Sequence, residues 1–310
     1  MSTGTATAAQ RAGRARAAFL WACSLDVQAR KPGNVSLAAP GHGMQAAQFL
    51  ASAAAAADAI TAPGRPVGER IEAAVRASWQ AAGCNTNLGI VLLCAPLLAA
   101  RERCHASGTA ANLRCALHDT LQSLTLDDAR AAYRAIALAH PGGLGRAPQQ
   151  DVADQPTVDL RSAMALAADR DRIAWQYTHG FEDVFDLGLP AFLATRAAAL
   201  DAGEDAAAAA ARAMQATFLE FLAALPDSHI VRKHGTAMAQ CVIGEAAQWR
   251  TRARRGEALD ADAAFARWDD SLKARQLNPG TSADLCVAVA LLAALRDAGA
   301  GDGGIAAPAR

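Results

Sequence analysis

The sequence has no excess of either charge. Its 310 residues carry 30 Lys plus Arg against 30 Asp plus Glu, so the electrostatic footprint of a nucleic-acid or anionic-membrane binder is missing and small molecules are the expected partners. A bilayer-spanning run is missing too: the longest apolar stretch, Leu88 to Ala100, is too short. The segment Ala17 to Leu25 has no convincing signal-peptide cleavage site and follows Arg11, Arg14 and Arg16, which reads as a soluble cytoplasmic protein. Seven cysteines (Cys23, Cys84, Cys94, Cys104, Cys115, Cys241 and Cys286) form no Cys-x-x-Cys pair, and their odd number and apolar surroundings point to reduced thiols. No His pair stands at ligand spacing beside an acid, which argues against zinc. Lysine is scarce: of the 30 basic residues only Lys31, Lys233 and Lys273 are lysines. Where arginine serves almost everywhere, a surviving lysine marks a place that wants a compact ammonium, such as a phosphate contact.

What is present is apolar and helical. Hydrophobic residues make up 52% of the chain, in long Ala- and Leu-rich segments at helical period separated by short stretches rich in Gly, Pro and Asn, with no alternating β-branched runs. The expectation is an all-α protein, a single compact domain of about 12–13 helices over 1–298 with a disordered tail over 299–310. Helices are placed at 7–29, 45–61, 67–82, 88–106, 109–122, 126–139, 159–177, 181–187, 190–201, 204–224, 236–254, 260–275 and 282–298, with Thr125 and Asp128 as a capping pair.

Five interhelical segments hold more polar chemistry than a turn requires. Asp26 and Lys31 stand on the last turn before Pro32-Gly33. Asn85, Thr86 and Asn87, between Gly83 and Gly89, offer more hydrogen-bonding capacity than one helix cap needs, at an N-terminus that suits an anion. A generously capped core helix explains that stretch equally well. Pro141 to Gly145 brings three glycines and leads to Asp151. Asp227 to Gly235 gathers Asp227, His229, Arg232, Lys233 and His234. Gly280, Thr281 and Ser282 open a helix whose first turn carries Asp284.

The succession Lys31-Pro32-Gly33, Asn85-Thr86-Asn87-Leu88-Gly89, Asp227 to Gly235 and Pro279 to Leu285 resembles the triphosphoribosyl-dephospho-CoA synthase family, the CitG and MdcB type, from about Ala17 to Leu295. The resemblance implies an all-α enzyme that takes ATP and 3'-dephospho-CoA, releases adenine and joins the triphosphoribosyl group to the acceptor, giving a prosthetic-group precursor. The match is to a divergent branch. Asp26 replaces the usual Glu, Gly43 stands where an acid is usual, Leu88 replaces a lysine, and Lys233-His234-Gly235 replaces Arg-Gly-Gly.

Displacing a base from C1' of a ribose passes through a cation-like centre and needs a carboxylate to activate the incoming hydroxyl. Asp284 and Asp227 are the candidates. Lys31, Arg232 and Lys233 would neutralise the triphosphate; Asn85, Thr86, Asn87, Gly280, Thr281 and Ser282 would hydrogen-bond phosphate or ribose; Asp26 and Asp151 would hold Mg²⁺. Trp175 and Tyr177 are either adenine-stacking or core residues. Two other functions fit the same residues: a magnesium-dependent nucleotide or ADP-ribose hydrolase with water as acceptor, and a non-catalytic nucleotide-binding homologue. The apolar helical surface leaves room for a homodimer.

Overall fold

The computed structural model describes residues 7–104 and 109–297; the tail expected over 299–310 lies outside them. Fourteen α-helices succeed one another among the described residues: α1 (Ala8–Gln28), α2 (Ala46–Ile60), α3 (Val67–Ala82), α4 (Leu88–Arg103), α5 (Ala110–Gln122), α6 (Leu126–Ala139), α7 (Leu160–Ala165), α8 (Arg172–Thr178), α9 (Leu189–Asp201), α10 (Ala206–Leu222), α11 (Ser228–His234), α12 (Thr236–Arg254), α13 (Ala263–Ala274) and α14 (Gly280–Asp297). A π-helical turn, Asp183–Gly188, and a 3-10 turn, Leu259–Ala261, complete them. The all-α expectation holds: the described residues contain no strand, only the isolated bridge between Gly41 and Met44.

Two helices have no polar face to give to water, so they are buried on all sides. In α4, Leu88 and every residue from Ile90 to Ala100 are buried; in α14, so is every residue from Leu285 to Leu295. They pack on each other, with α1 against α14 and α3 against α4, and the remaining helices present amphipathic faces to this centre. The first turns of α4 and α14 therefore meet inside the protein, and side chains placed there are held rigidly.

The pair α3–α6 shows how small residues allow close approach. The Gly68 N–H donates to Asp128 Oδ1 at 2.7 Å, while Asp128 also closes the expected capping box with Thr125. A Cβ on Gly68 would stand 2.4 Å from the Asp128 Cα. Gly68→Ala is accordingly expected to cost about 3 kcal/mol, because the clash is with backbone; a thermal melt within 1 °C of wild type would refute that packing.

Helix ends depart from the sequence reading wherever a short acid caps a new helix. The helix expected at 159–177 is two: Asp171 Oδ1 accepts from the Ile173 and Ala174 N–H groups and starts α8 afresh. Asp262 likewise separates the 3-10 turn from α13. The polar gap after Asp227 contains α11, because Asp227 Oδ1 accepts from the His229 and Ile230 N–H groups.

Candidate active site

The first turns of α4 and α14 open into a cavity of about 550 Å³, closed by α6, α7, α8, α11 and the loops around 33–44 and 140–152. That is the size of an ordinary small-molecule site.

Asp284 stands on its wall, one turn into α14. It makes no hydrogen bond or ion pair with another described residue. Burial, then the nearby charges of Asp26, Asp227 and Asp171, hold its pKa well above the usual carboxylate range, against the opposing pull of Lys31. Room for it is made by Gly89: a Cβ there would lie 2.0 Å from Asp284 Oδ2. Glycine at position 89 is thus a requirement of the carboxylate across the cavity. His229 faces the same space, its ring against Gly280, where a Cβ would lie 2.6 Å from Nδ1. Burial, followed by the charges of Lys233 and Arg232, pushes its pKa down to about 3, so it is a neutral imidazole near pH 7.

The cations gather at one rim. Arg232 Nε donates to the Gly142 carbonyl at 2.8 Å, and its Nη1 lies 3.6 Å from Asp171 Oδ2. Lys233 packs beside Gly142, and Arg146 follows the same glycine-rich loop. Neither Lys233 nor Arg146 is taken up by an ion pair or hydrogen bond with a described residue, which leaves both available to an anion. Opposite in character are the neutral hydrogen-bonding groups: Asn34 Nδ2 donates to Asn278 Oδ1 at 2.9 Å, and His42 Nε2 lies 2.8 Å from the Gly33 carbonyl.

Of the residues expected from sequence, Asp26, Asn85, Thr86, Asp151, Arg232, Lys233, Gly280, Thr281 and Asp284 line the cavity, whereas Lys31, Asn87, Asp227 and Ser282 do not. Several therefore have other work. Asp227 is buried and is an internal cap: besides the two α11 N–H groups, its Oδ2 accepts from the Ser282 N–H at 2.7 Å and the Ser282 hydroxyl at 2.8 Å. One carboxylate thus closes the N-termini of α11 and α14, and the anion site expected at Ser282 is filled from within. Lys31 is fully buried, 2.9 Å from Asp26 Oδ1 and donating also to the Asp26 carbonyl; it neutralises Asp26 and does not reach the cavity. Asn87 donates to Ser78 and Thr86 to Ser52, tying the start of α4 to α3 and α2. Asp151 accepts from the Ala147 and Ala153 N–H groups, and these bonds, Ala153 first, hold its pKa low. Each of its oxygens accepts one of these bonds, which shapes the loop. Tyr177 is core, its hydroxyl on the Leu92 carbonyl at 2.6 Å, and Trp175 stacks on His179; neither lines the cavity.

Sequence reasoning passed over Asp171, Arg146 and Arg170. Asp171 was hidden inside an expected helix; the triplet Asp169-Arg170-Asp171 was the available signal of a break there.

The Lys31–Asp26 pair makes a clean test of burial. Lys31→Met should lower stability by about 3–5 kcal/mol by leaving Asp26 buried without its cation, and Asp26→Asn added to it should restore part of the loss. Equal stability of all three proteins in urea titrations would contradict the pairing.

A family model described as CitG, ATP:dephospho-CoA triphosphoribosyl transferase, matches residues 12–302. A crystal structure from Archaeoglobus fulgidus, provisionally named a triphosphoribosyl-dephospho-CoA synthase, superposes with a TM-score of 0.61 at 24% identity, over 80% of this chain and 99% of the other; at that identity it speaks for the fold. No curated protein matches.

Proposed function

Because the chain belongs to the ATP:dephospho-CoA triphosphoribosyl transferase family, and so to the transferases, we propose that the cavity carries out the transfer in full: ATP and 3'-dephospho-CoA enter, adenine leaves, and a ribose hydroxyl of the acceptor becomes bonded to C1' of the triphosphoribosyl group. The observation that carries this reading is Asp284, a carboxylate without a hydrogen-bond partner on the wall of a cavity that Arg232, Lys233 and Arg146 also line.

Asp284 takes the proton of the acceptor hydroxyl as its oxygen approaches C1', and its negative charge offsets the positive charge that builds on the ribose as the bond to adenine breaks. The raised pKa makes it a better base than an ordinary aspartate. The electron pair of the broken bond goes to adenine, towards which neutral His229 can donate a hydrogen bond. Arg232 and Lys233 hold the triphosphate, and Asn85 and Thr281 lie on the wall available to ribose and phosphate oxygens.

Mg²⁺ fits this site. Among the described residues no group of three or more His, Cys, Asp or Glu is placed to hold a metal ion, but Mg²⁺ bound with a polyphosphate needs only one or two protein carboxylates. Asp26 lines the cavity and Lys31 engages its Oδ1, so Oδ2 is the oxygen it has to offer a cation. Asp26 would hold the ion, which would supply charge neutralisation for the triphosphate.

The reading is tested by following adenine release from ATP with and without dephospho-CoA. Release that requires the acceptor supports transfer; release at the same rate in its absence would move the assignment to hydrolysis. Lys233→Ala should raise the KM for ATP about tenfold with a smaller change in kcat, since a charged contact to bound phosphate is worth about 1.5 kcal/mol. An unchanged KM would remove Lys233 from the triphosphate site.

No helix among the described residues is long and apolar enough to cross a membrane, consistent with a metabolic enzyme working on soluble substrates.

A further inference from the structure

The cavity has a wall that neither ATP nor the reacting ribose explains. Tyr133 and Ile136 of α6, Leu144 and Val152 of the loop, and Met164 and Leu166 at the end of α7 line it, all from one stretch of chain. The polar and charged groups named above come mainly from other elements. Leu144 and Leu166 remain 43% and 42% exposed, two of only five large apolar side chains so exposed among the described residues. Both border the cavity while staying open to solvent, so a molecule bound there can cover them. The wall is held in shape: the Tyr133 hydroxyl donates to the Gln150 carbonyl at 2.8 Å, which fixes the loop carrying Val152. Two cations border it. Arg170 Nη1 donates to the Leu166 carbonyl at 2.7 Å, and Arg146 stands two residues from Leu144.

An apolar wall with cations at its edge matches a molecule in which phosphates run on into an uncharged, largely aliphatic arm. ATP has no such part, since its phosphate chain ends in charge. Dephospho-CoA does: its diphosphate continues into a pantetheine arm with geminal methyl groups, amides and methylenes. A cavity of about 550 Å³ is also the size for one ligand, so two substrates that react within it must leave part of one along its open side, where Leu144 and Leu166 are.

We infer that the Tyr133, Ile136, Leu144, Val152, Met164 and Leu166 wall is an acceptor-arm subsite that seats the pantetheine of dephospho-CoA, with Arg146 and Arg170 on its diphosphate, and that it selects an acceptor bearing an arm over a bare nucleotide. This rests on the transferase reading above and adds the substrate feature that sets acceptor choice.

The test uses ADP, which is dephospho-CoA without its arm. Binding of each to wild type and to the Leu144→Ser/Leu166→Ser double variant is measured by calorimetry, beside the KM for dephospho-CoA at saturating ATP. The variant should bind dephospho-CoA about tenfold or more weakly, as loss of two apolar contacts implies, with ADP affinity within twofold of wild type and the KM for dephospho-CoA raised in parallel. Leu166→Met, which keeps an apolar side chain, should bind as wild type does. Equal weakening for both ligands, no weakening, or no binding of dephospho-CoA to wild type would overturn the subsite. Selective weakening in a protein that makes no product would sustain the subsite while refuting the transfer reaction.

Discussion

Asp284→Asn should lower kcat by about 10³-fold while leaving the protein folded and at least as stable as wild type. The first part follows from its role: a carboxamide cannot accept the acceptor's proton, and loss of a general base typically costs 10²–10⁴ in rate. The second follows from its environment. Asp284 has a folded-state pKa raised by burial and by Asp26, Asp227 and Asp171. A group of this kind favours folding most when protonated, below its unfolded pKa, and that contribution is lost as pH rises through the folded value. Once the pH has passed the folded value the ionised form burdens the fold, and the neutral Asn relieves it. Activity runs the other way, since the base must be ionised: kcat/KM should fall as pH drops through the raised pKa. A variant that lost activity together with stability would instead make Asp284 a structural residue.

Asp227→Ala should do what Asp284→Asn does not. Its carboxylate accepts four hydrogen bonds, two from α11 and two from Ser282, and its removal leaves buried donors without partners at two helix starts. The expected loss is about 3 kcal/mol or more. Because α11 carries His229, Arg232 and Lys233, and α14 carries Asp284, activity should fall with stability. Asp227→Asn, which keeps one acceptor oxygen, should lie between. Full stability of Asp227→Ala in thermal melts would show that the two helix starts are held by something else.

These two aspartates show what a linear sequence carries and what it leaves out. Both were legible as chemical residues, Asp284 in the first turn of an expected helix and Asp227 in a polar gap between two, yet only the fold separates their roles. Asp284 projects to a space that Gly89 leaves open, whereas Asp227 meets Ser282, 55 residues later in the chain. Lys31 is a similar case: its scarcity drew attention to it, and its partner five residues earlier decides that its charge serves the interior. Helix existence was readable because α4 and α14 are apolar throughout and the other segments keep a 3.6-residue period. The breaks were not, because a capping aspartate such as Asp171 looks like any other polar residue on a helical face until its side chain is seen on the backbone. The Gly-rich loop shows the converse. It was legible as loop, but that it sets Arg232 and Lys233 beside Gly142 and Gly143 depends on helices far away in sequence.

The central claim is that this cavity, with Asp284 on its wall, is where the ribose changes partners. A crystal structure of the Asp284→Asn protein with ATP, Mg²⁺ and dephospho-CoA tests it most directly. The account predicts the triphosphate at Arg232 and Lys233, with the acceptor hydroxyl about 3 Å from the side chain of residue 284 and from C1' of ATP. Nucleotide bound elsewhere on the protein, or bound here with its ribose turned away from residue 284, would contradict it.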